Sequence, residues 1–396
     1  MTYKARLPFL EARLPTFLED LRRLVSIDSG SHDKAGNDAV VDWLQGRLEQ
    51  LGWASERISQ PRFGDDLFAT RPGRGKGRIM LLGHTDTVFP RGTAAQRPMA
   101  IEGGKLLGPG TCDMKAGLLS GLLALEALAS LGFDGYESLS FLCVSDEEIN
   151  SERHSVPLIR AYSRKADVVL TLEAARANGD IVSSRKGMCW YLLEATGKAA
   201  HAGVEPEKGR NAIVALTGRV LGLTSLNGLE PGLTVNVGTI QGGRAPNIVP
   251  DWASIRVDVR AWSEGAFRRF EQAVREQLAQ EALGVSISFG LEENSYVAPL
   301  ERTVVVAELE RLAQEEARAL GFELKGASAG GCSDASYAAG EGAAVLDGLG
   351  PIGGLDHGPD EYVELGSIVP RTALLANLII AYCQKRALTE AGPEVR

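Results

Sequence analysis

Short apolar runs alternate with helical segments in the first half of the chain, and this alternation constrains the fold more than any other feature. The runs "IMLL" (79–82), "SLSFLCVS" (138–145) and "DVVLTLE" (167–173) have the length and composition of buried strands. Helical segments lie between them at 114–132 and 155–166. Buried strands joined by helices are typical of a mainly parallel sheet flanked by helices, so we predict an α/β fold.

The pattern changes near residue 186, where the strands begin to alternate apolar and polar residues. "LTVNVGTIQGG" (233–243) and "ASIRVDVRAW" (253–262) are examples, and such alternation is typical of an antiparallel sheet covered on one face. From about residue 300 the earlier pattern returns. Since a chain of 396 residues exceeds the usual size of one core, we predict two domains. They are a catalytic domain of residues 1–185 and 299–396, and an inserted α+β domain at 186–298.

The composition argues against several classes of partner and environment. The net charge is −9 and the sequence has no cluster of Lys and Arg, which argues against nucleic-acid binding. The most apolar late stretch, "ALLANLIIAY" (373–382), is shorter than the ~20 residues that span a bilayer, so we expect no membrane partner. Five scattered cysteines without a CxxC pair indicate neither a disulfide framework nor a cysteine zinc site. A reducing cytoplasm is the expected location.

Acidic and imidazole side chains follow each buried strand of the predicted sheet. His84 and Asp86 follow the first strand, Glu147 and Glu148 the second, and Glu173 the third. Because ligands of open parallel sheets bind outside the carboxyl ends of the strands, we expect these groups to share one crevice.

Two further candidates are Asp113, which precedes a long helix, and His357, which lies in the loop "GGLDHGPDEY". So many acids in one crevice would raise one another's pKa or need cations between them. Imidazole and carboxylate donors without thiols suit zinc, or less selectively cobalt and manganese. Two ions that share one bridging aspartate would account for the number of ligands.

The residues beside the predicted ligands have a chemical use as well. Asp86 can hydrogen-bond the ring nitrogen of His84 that does not face the metal. If Glu148 binds metal, Glu147 is left free beside a metal-bound water. It could take the proton of that water and pass it to a leaving amine.

Each candidate has a structural alternative when it is considered alone. Asp113 could simply cap the helix that follows it, as Asn37 is predicted to cap a helix over 37–52. "GASAG" (326–330) formally fits a serine-nucleophile motif, but we predict that Ser328 lies in a loop, without the strand and helix of a nucleophile elbow. The joint occurrence of the acids and histidines in this order favours the metal site.

Seven motifs make the chain similar to the co-catalytic zinc amidohydrolases, a family that includes glutamate carboxypeptidase of the carboxypeptidase G type, acetylornithine deacetylase, succinyl-diaminopimelate desuccinylase and aminoacylase. They occur in family order over about residues 80–360, and the carboxypeptidase G branch resembles this chain most. The motifs are "GHTDTVFP", "GPGTCDMKAG", "SDEEINS", "TLEAA", "GKAAHAGVEPEKGRNAI", "GGCSDASY" and "LDHGPDEYV".

The resemblance implies two Zn²⁺ per subunit, with Asp113 as the bridging ligand. It assigns one ion to His84, Asp113 and Glu173, and the other to Asp113, Glu148 and His357. Glu147 would be the general base and then the general acid, and Asp86 would orient His84.

For the inserted domain, the resemblance implies a lid that also forms a homodimer. His201 would reach from this lid, into the site of the partner subunit, to stabilise the oxyanion. Asn247 and Arg260 resemble lid residues that hold the carboxylate of the substrate, and a guanidinium can grip a carboxylate with two hydrogen bonds.

The expected function is metal-dependent hydrolysis of an amide bond next to a free carboxylate, in a small peptide or an N-acyl amino acid. A water between the metals, activated by Glu147, would attack the carbonyl. The carboxypeptidase G branch has an arginine near the second domain boundary, whereas "LEENSYVAPLE" (291–301) has none. An N-acyl-amino-acid deacylase or a dipeptidase therefore remains the alternative.

Overall fold

Helices and strands alternate along the part of the chain that the computed structural model describes, which comprises residues 7–149, 153–279 and 283–391. The helices are α1 (Leu7–Val25), α2 (Lys34–Gln50), α3 (Thr93–Gln96), α4 (Ala116–Ser130), α5 (Val156–Ser163), α6 (Ala212–Thr224), α7 (Glu264–Leu278), α8 (Val304–Ala319), α9 (Asp334–Ala339) and α10 (Ile368–Ala391). The strands are β1 (Ala54–Ile58), β2 (Asp66–Pro72), β3 (Arg78–His84), β4 (Ala100–Glu102), β5 (Lys105–Leu107), β6 (Ser138–Val144), β7 (Val168–Thr171), β8 (Ile181–Arg185), β9 (Gly187–Thr196), β10 (Thr234–Gly242), β11 (Trp252–Ala261), β12 (Ser286–Leu291), β13 (Gly326–Ala329), β14 (Ala344–Leu346), β15 (Gly353–Gly354) and β16 (Tyr362–Glu364).

The central sheet has six strands in the order β1-β2-β6-β3-β7-β14. Strands β6, β3, β7 and β14 are parallel to one another, which confirms the predicted mainly parallel sheet. Strands β1 and β2 add an antiparallel edge that the apolar pattern did not predict. The sheet and α4 approach closely at Gly117, where a Cβ atom would lie 2.0 Å from the carbonyl oxygen of Leu172. Only glycine fits this contact.

The start of α2 differs from the prediction. Asp33, not Asn37, is the N-cap, and its carboxylate accepts a hydrogen bond from the backbone N–H of Gly36. Asn37 is buried inside the helix, where its side-chain amide donates to the carbonyl oxygen of Gly30. Both residue types can cap a helix, and the contact with Gly30 that decides between them is not visible in a local pattern.

The described residues form two compact units. The first comprises the residues up to 183, 302–328 and those from 333 onward, and the second comprises 184–301 and 329–332. In the second unit, β10, β11, β9 and β12 form an antiparallel sheet in that order, as expected for this segment. Alternate residues of β9 are buried beneath α6 and α7, including Tyr191 and Leu193.

Ser328 lies in β13, which pairs with β8, so the prediction of a loop at this residue is wrong. The pairing with a strand more than 140 residues away left no local signal. The side chain of Ser328 is exposed, and α9 does not begin until Asp334. This arrangement is not the strand–turn–helix of a nucleophile elbow.

A small antiparallel sheet in the first unit joins two distant parts of the chain in the order β15-β16-β5-β4. Its strands have only two or three residues. Strand β5 ends shortly before Asp113, and His357 lies in the loop between β15 and β16. The pairing of β5 with β16 therefore brings these two segments to the same place.

The segment Leu365–Thr389, which contains most of α10, is long and apolar enough to cross a membrane by length and composition. It is longer than the apolar stretch at 373–382 on which the sequence-based expectation rested. However, 67% of its most apolar window is buried within the protein. Helix α10 packs against α4 and α8, as the core helix of a folded domain does.

Candidate metal centre

The parallel strand β3 delivers His84 to the carboxyl end of the sheet, where its side chain is only 1% exposed. The Nδ1 atom lies 3.0 Å from the backbone oxygen of Asp86 and 3.3 Å from its carboxylate. The Nε2 atom lies 2.9 Å from Oδ1 of Asp113 and 3.7 Å from Oε1 of Glu173. Two oxygens of Asp86 thus lie close to one ring nitrogen, and the other ring nitrogen points toward acids.

A tight turn ahead of α4 carries Asp113, and the buried carboxylate of Glu361 holds this turn. It accepts the backbone N–H groups of Gly110, Cys112 and Asp113, at 3.0, 2.7 and 3.0 Å. Gly110 has a φ of +73°, and a Cβ there would lie 2.7 Å from the side chain of Thr87. Sequence reasoning did not select Glu361, although it lies in the quoted motif "LDHGPDEYV".

His357 lies in the loop between β15 and β16, in the left-handed region of backbone space with a φ of +63°. Its Nε2 atom is 3.1 Å from Oδ2 of Asp113 and 3.2 Å from Oε2 of Glu148. The two carboxylate oxygens of Asp113 therefore contact one predicted imidazole ligand each: Oδ1 contacts His84 and Oδ2 contacts His357. A non-glycine residue with positive φ is uncommon and is found preferentially at functional sites.

Asp86 also holds the loop that follows β6. Its two carboxylate oxygens accept the backbone N–H groups of Glu147 at 3.1 Å and Glu148 at 3.0 Å. The hydroxyl of Ser31 donates a third hydrogen bond, at 2.6 Å. The predicted contact with His84 is thus one part of a wider role, because the same buried side chain positions the two adjacent glutamates.

Glu147 lies close to a buried ion-pair network that the sequence reasoning missed. The guanidinium of Arg153 lies 2.5 Å from Asp334 and 3.6 Å from Asp146. Burial raises the pKa of Glu147 to about 8, and the negative charge of Asp334 adds to the shift. Two of the quoted motifs contain acids of this network, "SDEEINS" with Asp146 and "GGCSDASY" with Asp334.

The ionisable groups of the cluster depend on one another. Hydrogen bonds to Asp113 and Glu148 raise the pKa of His357 to about 11. Burial opposes the charge of Asp113, but the hydrogen bonds from His357 and His84 hold its pKa well below the usual range. Burial raises the pKa of Glu173, and the nearby charge of Asp113 raises it further. Shared protons thus stabilise a set of acids that a cation would also stabilise.

The donor atoms fit a metal centre by their spacing. Three groups of side chains each offer ligand atoms within 4.8 Å of one another: His84, Asp113 and Glu173; His84, Glu147 and Glu148; and Asp113, Asp356 and His357. In addition, Oε1 of Glu148 is buried without a hydrogen-bond partner among the described residues. A buried carboxylate oxygen of this kind needs a partner, and a divalent cation is a suitable one. Asp356 is exposed, and the sequence did not suggest it.

The remaining three predicted residues belong to the second unit. The side chains of His201 and Asn247 are exposed. Their turns adjoin, since the backbone carbonyl of Asn247 accepts the N–H of Ala202 at 3.0 Å. The Nδ1 atom of His201 accepts the N–H of Gly203 at 3.1 Å. Arg260 lies in β11, and its Nε donates to Asp258 at 3.1 Å. Within this unit, His201 and Asn247 lie near each other, and Arg260 has a carboxylate partner.

Comparisons with known proteins agree with the predicted family. The sequence model of "Peptidase family M20/M25/M40" matches residues 80–381, which is well over half of the chain. Carboxypeptidase G2 of Pseudomonas sp. (strain RS-16) is 31% identical, and the match covers 92% of this chain and 89% of that protein. Acetylornithine deacetylase of Proteus mirabilis (strain HI4320) is 27% identical, over 94% of this chain and 98% of that protein.

Among solved structures, the aminopeptidase PepT from Bacillus cereus has the same fold. The TM-score is 0.73 with 22% sequence identity, and the match covers 93% of this chain and 98% of that one. The resemblance that the seven motifs predicted is therefore confirmed. On the extent of the family match and the identity to a full-length relative, the chain belongs to peptidase family M20/M25/M40 and is a metallo-hydrolase of peptide or amide bonds.

Proposed function

We propose that the protein hydrolyses an amide bond next to a free carboxylate, in a small peptide or an N-acyl amino acid, as a glutamate-carboxypeptidase-like enzyme. The observation that carries the proposal is the position of Asp113, whose two carboxylate oxygens contact His84 and His357. The similarity to a carboxypeptidase G2 over 92% of the chain supports this choice within the family.

Five side chains would hold two divalent cations. The imidazole and carboxylate donors suit zinc. His84, Asp113 and Glu173 would bind one ion, and Asp113, Glu148 and His357 the other, with Co²⁺ or Mn²⁺ as possible substitutes. Such ions would polarise the carbonyl of the substrate and lower the pKa of water in the site.

The residues around these ligands would carry out the proton transfers. Glu147 takes a proton from the attacking water and delivers it to the leaving nitrogen, and its backbone is held for this task by Asp86. Asp86 also fixes the orientation of the His84 ring. A rigid arrangement of this kind keeps the base in place through the reaction.

We propose that the second unit is a lid, corresponding to the predicted insert at 186–298. His201 would stabilise the oxyanion, and Asn247 and Arg260 would hold the carboxylate of the substrate. The exposure of His201 and Asn247 supports such a role, because an exposed side chain can contact a substrate. The bond between Arg260 and Asp258 would have to open or be shared when the carboxylate binds.

We further propose that a second copy of this chain covers the outer edge of the lid. Strand β10 is the edge strand of its sheet and exposes Ile240, while the neighbouring helix α6 exposes Val214 and Leu221. Free strand edges with apolar side chains pair readily with an identical edge. In the resulting homodimer, His201 would serve the site of the partner subunit. Ile240→Lys should give monomers in light scattering, and a dimer that persists in this variant would contradict the proposal.

A cytoplasmic location is also proposed. No disulfide joins the five cysteines, all of which lie among the described residues, and four of them are buried. Thiols in this state fit a reducing compartment.

An N-acyl-amino-acid deacylase or a dipeptidase is the second candidate. It is favoured by the similarity to an acetylornithine deacetylase and by the absence of arginine in the sequence at 291–301. A panel of N-acyl amino acids and dipeptides with varied C-terminal residues would distinguish the two candidates.

The test of the proposed function combines metal analysis with that panel. We expect about two zinc ions per subunit, loss of hydrolysis after chelation, and recovery when zinc is returned. Activity that survives complete removal of metal would refute the proposal and would favour a serine mechanism instead.

A further inference from the structure

A cleft of about 630 Å³ opens in the first unit beside the candidate metal centre. Two segments form its walls, residues 30–33 and 87–91, and Glu148 and Ile149 complete the lining. Because Glu148 belongs to both the cleft and the candidate metal centre, a group that occupies the cleft lies next to the reacting bond. The volume is in the range of sites that bind small molecules.

The walls of the cleft are held together by contacts within the first unit. The carboxylate of Asp28 accepts the backbone N–H groups of Gly92 at 2.7 Å and Ala94 at 2.8 Å. The backbone N–H of Thr87 donates to the carbonyl oxygen of Ser29 at 2.8 Å. These bonds attach the second wall to the start of the first. The cleft is therefore preformed, which lowers the entropic cost of binding.

Apolar side chains dominate the wall at 88–90. Val88 is 39% exposed, and Phe89 lies next to it with Arg97 stacked 4.6 Å from the centre of its ring. Arg97 in turn donates to the carbonyl oxygen of Gly358, in the loop that carries His357. The aromatic ring is thus fixed in position, and Val88 and Ile149 offer apolar surface to an occupant.

The charged side chains that line the cleft disfavour an anionic occupant. Among the described residues of the lining, Arg91 is the one arginine or lysine. Its guanidinium forms two hydrogen bonds with Asp33, at 2.9 and 3.0 Å. Glu148 adds a further carboxylate. A second acidic group on a substrate would therefore meet no unpaired arginine or lysine among the described residues of the lining, and burying it would be costly.

We propose that this cleft is the subsite that takes an uncharged apolar group of the substrate, an aromatic or branched aliphatic side chain or acyl chain next to the scissile bond. The proposal rests on the proposed function, because it takes Glu148 to mark the reacting centre. It narrows the substrate class from carboxylates in general to those that carry an apolar group at this position rather than a second acid.

The experiment compares two pairs of substrates with the zinc-loaded protein. N-benzoylglycine and N-succinylglycine differ on the acyl side, while N-acetylphenylalanine and N-acetylglutamate differ on the amine side. In at least one pair, we expect kcat/KM to favour the apolar member by about tenfold or more. In that pair, Val88→Lys should lower the preference by about tenfold, because a cation on the wall would attract the acidic member. The ratio within a pair does not depend on the fraction of active enzyme.

Ile101→Lys is the matched control, since Ile101 is a branched residue with 45% exposure that does not line the cleft. It should leave both ratios unchanged. The proposal is overturned if the acidic member is preferred in both pairs, or if Val88→Lys changes neither ratio. If no pair is hydrolysed, the proposed function fails. Calorimetry of ligand binding then tests separately whether the cleft is an apolar subsite. Binding of N-benzoylglycine that Val88→Lys weakens about tenfold would support the subsite, and no binding would overturn it.

Discussion

The two units of the protein hold their candidate functional residues in opposite ways. In the first unit, Asp113 contacts two histidines and its own turn is held by Glu361, so each side chain is fixed by others. In the second unit, His201 and Asn247 are exposed in adjoining turns. The candidate metal cluster is therefore preorganised within one unit, whereas His201 and Asn247 of the proposed lid are placed by local contacts of their own turns.

The largest effect is expected at Glu147, in the preorganised cluster. Glu147→Gln removes the proton acceptor but keeps the shape, so kcat should fall roughly 100- to 10,000-fold. The metal content, measured by mass spectrometry, should stay the same. Glu102→Gln, at an exposed position, is the control and should retain full activity. Unchanged turnover in Glu147→Gln would remove this residue from the proton transfer.

A smaller loss is expected at His201, in the second unit. His201→Ala should lower kcat about 100- to 1,000-fold, since it would remove one donor to the oxyanion. Because the side chain is exposed, the melting temperature should not change, and the molecular mass of the oligomer in solution should stay the same. Val204→Ala, in the same turn and 74% exposed, tests for a general effect of altering the turn. Equal losses in both variants would argue against a specific role of the imidazole.

A still smaller effect is expected at Glu361, whose carboxylate accepts backbone N–H groups of the turn that carries Asp113. In Glu361→Gln, an amide N–H₂ would face one of the backbone donors, so the turn would be held less firmly. Zinc affinity should fall about 10- to 100-fold by competition with a chelator, and saturating zinc should restore much of the activity. Glu364→Gln, in β16, is the control. An unchanged affinity would mean that the turn does not need this carboxylate.

The smallest effect concerns stability and separates a structural histidine from the candidate ligands. Burial lowers the pKa of His154, but the hydrogen bonds to Asp146 and Asp66 more than offset this and raise it to about 9. The contribution of the charged ring is therefore complete below pH ~6.5 and lost as the pH rises through about 9. His154→Gln should cost on the order of 1 to 2 kcal/mol at pH 6 and less at pH 9.5, by urea unfolding. A cost that is independent of pH would contradict this assignment.

Much of the candidate site could be predicted because its residues follow strong local patterns. His84, Glu148 and Glu173 come directly after buried apolar strands, and the carboxyl ends of parallel strands share one edge of the sheet. The supporting residues could not be predicted in this way. Glu361 and Asp334 follow no such strand, and their roles depend on contacts with segments more than 180 residues away. The cap of α2 was mispredicted because Asn37 is buried, where its side chain contacts Gly30 and, 48 residues away, Thr85.

The sequence by itself determined the α/β class, the alternation of the main buried strands with helices and the chemical types of the candidate ligands, since periodicity and residue chemistry are local properties. Only the tertiary structure decided how these residues meet. The pairing of the short strands β5 and β16, and the acceptance of two backbone N–H groups by Asp86, bring Asp113, His357 and the paired glutamates into one crevice. These contacts join distant segments through a few hydrogen bonds each, and so they leave no periodic signal along the chain.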